Sequence, residues 1–290
     1  MALFHLSFES EYLGSNTDVN VIMPDKPRSV GCREFYGSEK KYRVLWLLHG
    51  TFGGYDDWIR KSNIELYACE KDLIVVMPGV GNSDYTRWDN FTLGYDSQRF
   101  ITDELMPMIQ GWFPASSRRE DNFVAGLSMG GKGALMFALK YPELFAKAAV
   151  LSYIPSDMDA QREELEKLYD RPFEEVKDDS DVMHASLRQY NIMHKYGSFE
   201  AYMNSSYNLW RMLGKADSAV LPDLFFSVGT EDPLFSMDCL AKFESYMNSL
   251  GIPAVFETGK GSHEWRVWER DIQKAFRFFG FDDETKGNAF

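Results

Sequence analysis

Apolar and polar positions along the chain fall into two alternating patterns. Runs rich in β-branched and aromatic residues occur at 3–10, 17–24, 43–49, 73–78, 122–127, 148–153, 223–229 and 254–259 and read as strands. Between them, apolar residues recur at helical spacing near 56–70, 97–113, 129–141, 235–250 and 265–279. In the last of these Val267, Ile272, Ala275 and Phe276 form one broad apolar face. Strands alternating with helices predict an α/β architecture, with a mostly parallel central sheet of about eight strands flanked by helices. The run VLWLLHG, Val44 to Gly50, is apolar without alternation, as expected of a strand buried on both faces at the centre of the sheet. Pro142 ends the helix before it, because proline has no N–H to donate and restricts its predecessor.

One segment interrupts this alternation. About 70 residues separate the strand ending near Tyr153 from the one starting at Asp223, and they read as helical and polar, as in DAQREELEKLYDRPFEEVKDD. Such a length exceeds an ordinary connection, so residues 155–220 are expected to form an inserted helical cap within a single domain spanning 1–290. The acidic stretch inside it reads as a solvated face.

With 44% hydrophobic and 15% aromatic residues the chain has the material for a large core. A formal charge of -13 argues against nucleic-acid and anionic-membrane partners, whose phosphates would be repelled. The start, MALFHLSFES, lacks the charged and apolar regions of a signal peptide, and no stretch reaches the length of a membrane span, so the cytoplasm is the expected location. Cys32, Cys69 and Cys239 show neither metal-ligand spacing nor a disulfide framework and read as reduced. No metal or other cofactor is expected.

The chemistry is carried by VAGLSMGGKGA. Gly126-Leu127-Ser128-Met129-Gly130 fits G-x-S-x-G, a sharp strand-to-helix turn that presents a strained serine between small residues. The strand DNFVAG precedes it and the helix MGGKGALMFALKY follows. Glycines in a helix interior cost up to about 1 kcal/mol each, so Gly130, Gly131 and Gly133 point to close backbone approach. A serine needs a histidine to take its proton and a carboxylate to orient that histidine. Of five histidines only His263, in the loop GKGSHEW, follows every plausible acid-bearing strand end. The strand LFFSVGTED supplies the acid, Asp232 with Glu231 as the alternative. Donors for a developing oxyanion are expected from the backbone N–H of Met129 and from the glycine-rich loop HGTFGGYDDW, where Thr51 is best placed. His49 reads as a holder of that loop. Phe52, Trp58, Tyr85, Trp88, Trp210 and Trp265 are candidate pocket residues.

Five blocks, LLHGTFGGYDDW, MPGVGNSDYT, AGLSMGGKGALMFALKYPELFA, SVGTEDPL and GKGSHEW, together resemble the esterase D group of α/β-hydrolases. That group includes S-formylglutathione hydrolases, tributyrin esterases and the acetyl-xylan and feruloyl esterases of carbohydrate esterase family one. The resemblance runs from about residue 1 to 280 and is closest to the tributyrin and feruloyl or acetyl-xylan members. It implies an α/β-hydrolase fold, a triad of Ser128, Asp232 and His263, and oxyanion donors at Thr51 and Met129. The implied function is a serine carboxylesterase acting on short acyl esters, acetyl, butyryl or feruloyl, carried by small molecules or carbohydrate. A thioesterase of the S-formylglutathione hydrolase type is the alternative, followed by an acyltransferase and a non-catalytic binding module. Assembly into a homo-oligomer is left open.

Overall fold

A computed structural model of the protein describes residues 2–181 and 184–281. Its strands in chain order are β1 (Ala2–Ser10), β2 (Ser15–Met23), β3 (Arg43–Leu48), β4 (Leu73–Pro78), β5 (Arg87–Trp88), β6 (Tyr95–Asp96), β7 (Asn122–Leu127), β8 (Lys147–Leu151), β9 (Asp223–Gly229) and β10 (Ala254–Gly259). Eight of them form one sheet in the order β1-β2-β4-β3-β7-β8-β9-β10, and β5 pairs with β6 in a small separate hairpin. Every one of the eight sequence runs read as a strand lies in the large sheet. β1 pairs with β2, and β2 with β4, antiparallel; all remaining pairs of the large sheet are parallel.

The burial of each strand follows its composition. Val44 through Leu48 of β3, all of β4 and all of β7 are buried, since these strands carry helices on both faces. β1 is largely exposed and closes one edge. On one face the helices Met129–Lys140 and Met237–Ser249 pack with residues such as Phe100, Leu105 and Ile109 over Trp46, Val124 and Phe226. On the other face Ile64 and Ala68 join Ile272, Ala275 and Phe276 of the helix Trp265–Phe279 over Leu45, Ala125 and Phe225.

The helix expected near 56–70 is two, Asp57–Lys61 and Ile64–Glu70. Ser62 between them is extended, and Asn63 gives its backbone N–H to Glu269 at 3.0 Å, which takes it out of the helical ladder. The stretch near 97–113 is continuous over Ser97–Arg99, Phe100–Leu105 and Met106–Trp112, with a π-helical turn in its middle. The helix Cys32–Tyr36, whose residues are all at least partly exposed, gave no apolar periodicity to read. Between β8 and β9 lie the short helices Arg162–Tyr169, Phe173–Val176, Ala185–His194, Phe199–Met203 and Leu209–Leu213. The helices Arg162–Tyr169, Ala185–His194 and Phe199–Met203 share a small core around Met158, Ile192, Met193, Tyr202 and Met203, while Leu209 and Leu213 join the main core. No helix among the described residues is long and apolar enough to cross a membrane.

The sheet order reverses at β3. From it β4 lies on one side and β7 on the other, so the C-terminal ends of β3 and β7 open onto a shared crevice, where ligands bind in open α/β sheets. Two glycines permit the junction there. A Cβ on Gly126 would lie 2.3 Å from the Gly130 carbonyl oxygen and 2.8 Å from Leu48 Cβ, and one on Gly130 would lie 2.5 Å from the Leu48 oxygen. Gly126→Ala is therefore expected to destabilise the protein by about 3 kcal/mol or more, as overpacking against backbone does. Gly111, exposed in the helix Met106–Trp112 with nothing within 4 Å of its virtual Cβ, should respond in the opposite sense, with Gly111→Ala gaining about 0.5–1 kcal/mol. Urea denaturation of both variants checks the pair of signs.

Candidate active site

Ser128 sits between β7 and the helix Met129–Lys140 with φ 53° and ψ -116°, a conformation that a residue with a side chain adopts only under constraint. Its N–H donates to the Leu151 carbonyl of β8 at 2.8 Å, and its own carbonyl accepts the Lys132 N–H at 3.0 Å. The strained residue is thus fixed from both sides. The helix starts directly after it, so the N–H groups of its first turn, Met129 among them, face the crevice end of the sheet without helical partners.

The loops after β9 and β10 are joined to each other before they present any side chain. Thr230 N–H donates to Gly259 O and Glu231 N–H to Gly261 O, both at 2.9 Å. A Cβ on Gly229 would lie 2.3 Å from the Gly261 oxygen, so this approach requires glycine. The joined loops bring Asp232 and His263 together, with Asp232 Oδ2 2.8 Å from His263 Nδ1. The other carboxylate oxygen accepts the Leu234 N–H at 2.9 Å, which fixes the plane of the group. Of the two acids read from the sequence, Asp232 is buried against the histidine and Glu231 is exposed. The His263 ring also packs edge-on against Trp268, with centroids 5.1 Å apart, and Trp268 is held by an indole hydrogen bond to Ser152 Oγ at 3.0 Å.

After β3 the chain turns through His49, Gly50, Thr51 and Phe52. Buried His49 has both ring nitrogens engaged: Nδ1 donates to Gly50 O at 2.8 Å and Nε2 accepts the Val80 N–H at 3.2 Å. Burial pushes its pKa down, consistent with a neutral ring that braces the loop and has no free nitrogen for proton transfer. Phe52, at φ 60°, gives its N–H to Asn82 Oδ1 at 2.8 Å. The Thr51 N–H makes no hydrogen bond among the described residues. No three His, Cys, Asp or Glu side chains among them converge to hold a metal ion.

Comparison with known proteins gives this geometry its context. The family model described as "Putative esterase" matches residues 10–279. The chain belongs to this esterase family. It is 26% identical to an acetyl esterase of Caldicellulosiruptor saccharolyticus over 96% of this chain and 98% of that protein. Among solved structures it resembles S-formylglutathione hydrolase FrmB of Staphylococcus aureus, at 27% identity, 96% and 98% coverage and TM-score 0.74. It also resembles the substrate-bound fluorophosphonate-binding serine hydrolase FphF of Staphylococcus aureus, at 26% identity, the same coverage and TM-score 0.73. The protein is a carboxylic ester hydrolase of the α/β-hydrolase fold.

The six aromatic residues singled out in the sequence are scattered over this esterase. Trp58 is buried, gives its indole N–H to Leu48 O at 3.2 Å and packs edge-on against Trp265. Trp265 packs in turn on Trp268. Tyr85 is buried beneath the loop after β3, with its hydroxyl on His49 O at 3.1 Å. Trp210 stacks flat on Tyr246. These four serve packing. Phe52 is exposed beside Thr51, and Trp88 lines a cavity of about 350 Å³ with Val80, Phe91 and Tyr95.

A constellation that the sequence did not disclose joins the segment between β8 and β9 to the loop after β3. Arg188, on the helix Ala185–His194, donates to Thr51 Oγ1 at 2.8 Å and to Asp84 Oδ1. The Tyr207 hydroxyl donates to Asp84 Oδ2 at 3.2 Å. Lys132, one turn after Ser128, stands 4.0 Å from the same carboxylate oxygen and over the Tyr207 ring. Asp84 is fully enclosed, yet its pKa lies below the usual carboxylate value because Lys132 and Arg188 outweigh the cost of burial. Burial lowers the Lys132 pKa to about 7, against the opposing pull of Asp84. The only hint in the sequence was a lysine inside the otherwise small and apolar MGGKGALMFAL. Removing the arginine leaves Asp84 buried without its strongest donor, so Arg188→Met should lower stability by about 2 kcal/mol or more. Thermal denaturation measures this, and a melting temperature within one degree of the parent would show that the tether carries no load.

Proposed function

We propose that Ser128, Asp232 and His263 form the catalytic triad of a serine carboxylesterase that hydrolyses short-chain acyl esters through an acyl-enzyme. The hydrogen bond between Asp232 and His263 Nδ1, in the loops after neighbouring strands of the sheet whose β7 ends at the strained Ser128, carries this reading. Asp232 keeps the proton on Nδ1 and leaves Nε2 free to accept the Ser128 proton as Oγ attacks the ester carbonyl. The carbonyl oxygen, now negative, is met by the N–H groups of Thr51 and Met129. Collapse expels the alcohol, which takes the proton back from His263. Water, deprotonated by the same ring, then adds to the acyl-enzyme and releases the acid and Ser128. Residues 155–220 act as a cap over this site, and the alcohol is a small molecule or a carbohydrate.

Two comparisons bear on the substrate. Full-length similarity to an acetyl esterase supports acetyl and other short acyl oxygen esters, with feruloyl esters as the aromatic extension. Comparable similarity to an S-formylglutathione hydrolase supports the thioester reading as the alternative. We also infer that the protein acts in the cytoplasm, a reading supported by the free thiols of Cys32 and Cys239, both exposed.

A fluorophosphonate probe should label the parent and fail to label Ser128→Ala, whose ester hydrolysis should fall by about 10⁴-fold or more. Asp232→Asn should retain the fold and lose about 10³–10⁴-fold in kcat. Undiminished labelling of Ser128→Ala would remove Ser128 as nucleophile. Hydrolysis rates for acetyl, butyryl, octanoyl and feruloyl esters and for S-formylglutathione then separate the substrate readings.

A further inference from the structure

We propose that Lys132 makes this esterase selective for short esters whose enclosed portion ends in a carboxylate. The proposal rests on the triad reading above and adds a substrate class to it. A cavity of about 270 Å³ lies under the segment between β8 and β9, with Lys132, Tyr153, Gln189, Tyr202, Tyr207 and Phe235 among its walls. It adjoins the proposed reacting groups. The Phe235 ring lies 6.3 Å from the His263 ring, and Lys132 is one helical turn from Ser128, to which its backbone is hydrogen-bonded. Helical side chains lean toward the N-terminus, which directs Lys132 back toward the serine end of its helix. The volume falls below the roughly 300–1,000 Å³ of pockets for drug-sized ligands and suits a short chain.

Three polar side chains of the wall already have partners. Gln189 donates to the Tyr202 hydroxyl at 2.6 Å, and Tyr207 donates to Asp84. Asp84 already accepts from Arg188 and Tyr207. The Lys132 ammonium, on a side chain only 6% exposed, has the distant Asp84 oxygen and the Tyr207 ring as neighbours, and it makes no hydrogen bond among the described residues. With Lys132 and Arg188 against Asp84 alone, the cluster carries one surplus positive charge, and Lys195 adds to the positive field acting on Lys132. This local excess stands out in a chain of net charge -13. A desolvated cation with unused N–H groups beside a cavity is a site for an anion, because the anion supplies both the missing acceptor and the missing charge.

The test compares matched esters at pH 6.5, below the value of about 7 to which burial brings Lys132, so that the ammonium is charged. One pair places the charge on the acid side, 4-nitrophenyl hemiglutarate against 4-nitrophenyl pentanoate. A second places it on the alcohol side, 4-acetoxybenzoate against 4-acetoxybenzamide. The parent should prefer the anion in at least one pair. In Lys132→Met the anionic-to-neutral ratio of kcat/KM should fall by about tenfold or more, the loss expected for one charge-assisted hydrogen bond, and Lys132→Arg should restore most of it. A measurement on the parent alone covers a poorly folding variant: glutarate should inhibit hydrolysis of 4-nitrophenyl acetate competitively at about tenfold lower concentration than glutaramide. Equal use of charged and neutral members in both pairs, or an unchanged ratio in Lys132→Met, overturns the proposal and leaves the esterase reading in place. Absence of all ester hydrolysis in the parent would instead remove the triad reading, and this one with it.

Discussion

Everything at the catalytic end of this protein depends on how closely the helix Met129–Lys140 approaches the sheet. Gly126 and Gly130 allow β7, the helix and the end of β3 to meet at distances that no Cβ tolerates, and Gly131 and Gly133 extend the approach toward Leu151 and Tyr85. Loosening this contact by the width of a methyl group would relax the backbone at Ser128. The strain is held by the two hydrogen bonds that Ser128 makes with β8 and with its own helix. The conformation of Ser128 is therefore a product of the packing behind it.

The same device recurs on the other side of the crevice. The loops carrying Asp232 and His263 are locked together by backbone hydrogen bonds and by the Gly229–Gly261 contact, so these two side chains inherit their spacing from the main chain. The loop after β3 is set by a third arrangement, in which His49 ties Gly50 to Val80. The loops after β3, β9 and β10 are thus each fixed by contacts within the protein.

The central strands of the sheet were legible because strands buried on both faces need uninterrupted apolar runs, as in RVLWLL and LIVVMP, and the outer ones because β-branched and aromatic residues recur along them. The strained turn at Ser128 and the pairing of Asp232 with His263 were legible from residue types at strand ends. Asp84, Lys132, Arg188 and Tyr207 were not, since four polar residues dispersed over more than a hundred positions share no spacing until the chain folds. Aromatic residues are ambiguous in the sequence. Trp58, in the helix Asp57–Lys61, and Tyr85, in a loop, follow strand ends, where large rings are as useful for filling the core as for touching a ligand, and both are buried.

The segment between β8 and β9 meets the rest of the molecule through two kinds of contact: Leu209 and Leu213 join the main apolar core, while Arg188 bonds Thr51 and Asp84 and Lys195 bonds Arg87 O at 2.9 Å. Polar contacts and apolar cores respond differently to solvent. Salt and mild denaturant weaken the former while the large sheet, buried between two layers of helices, persists. The segment is thereby anchored at two strengths, apolar at Leu209 and Leu213 and polar at Arg188 and Lys195, and salt acts on the second anchor before the first.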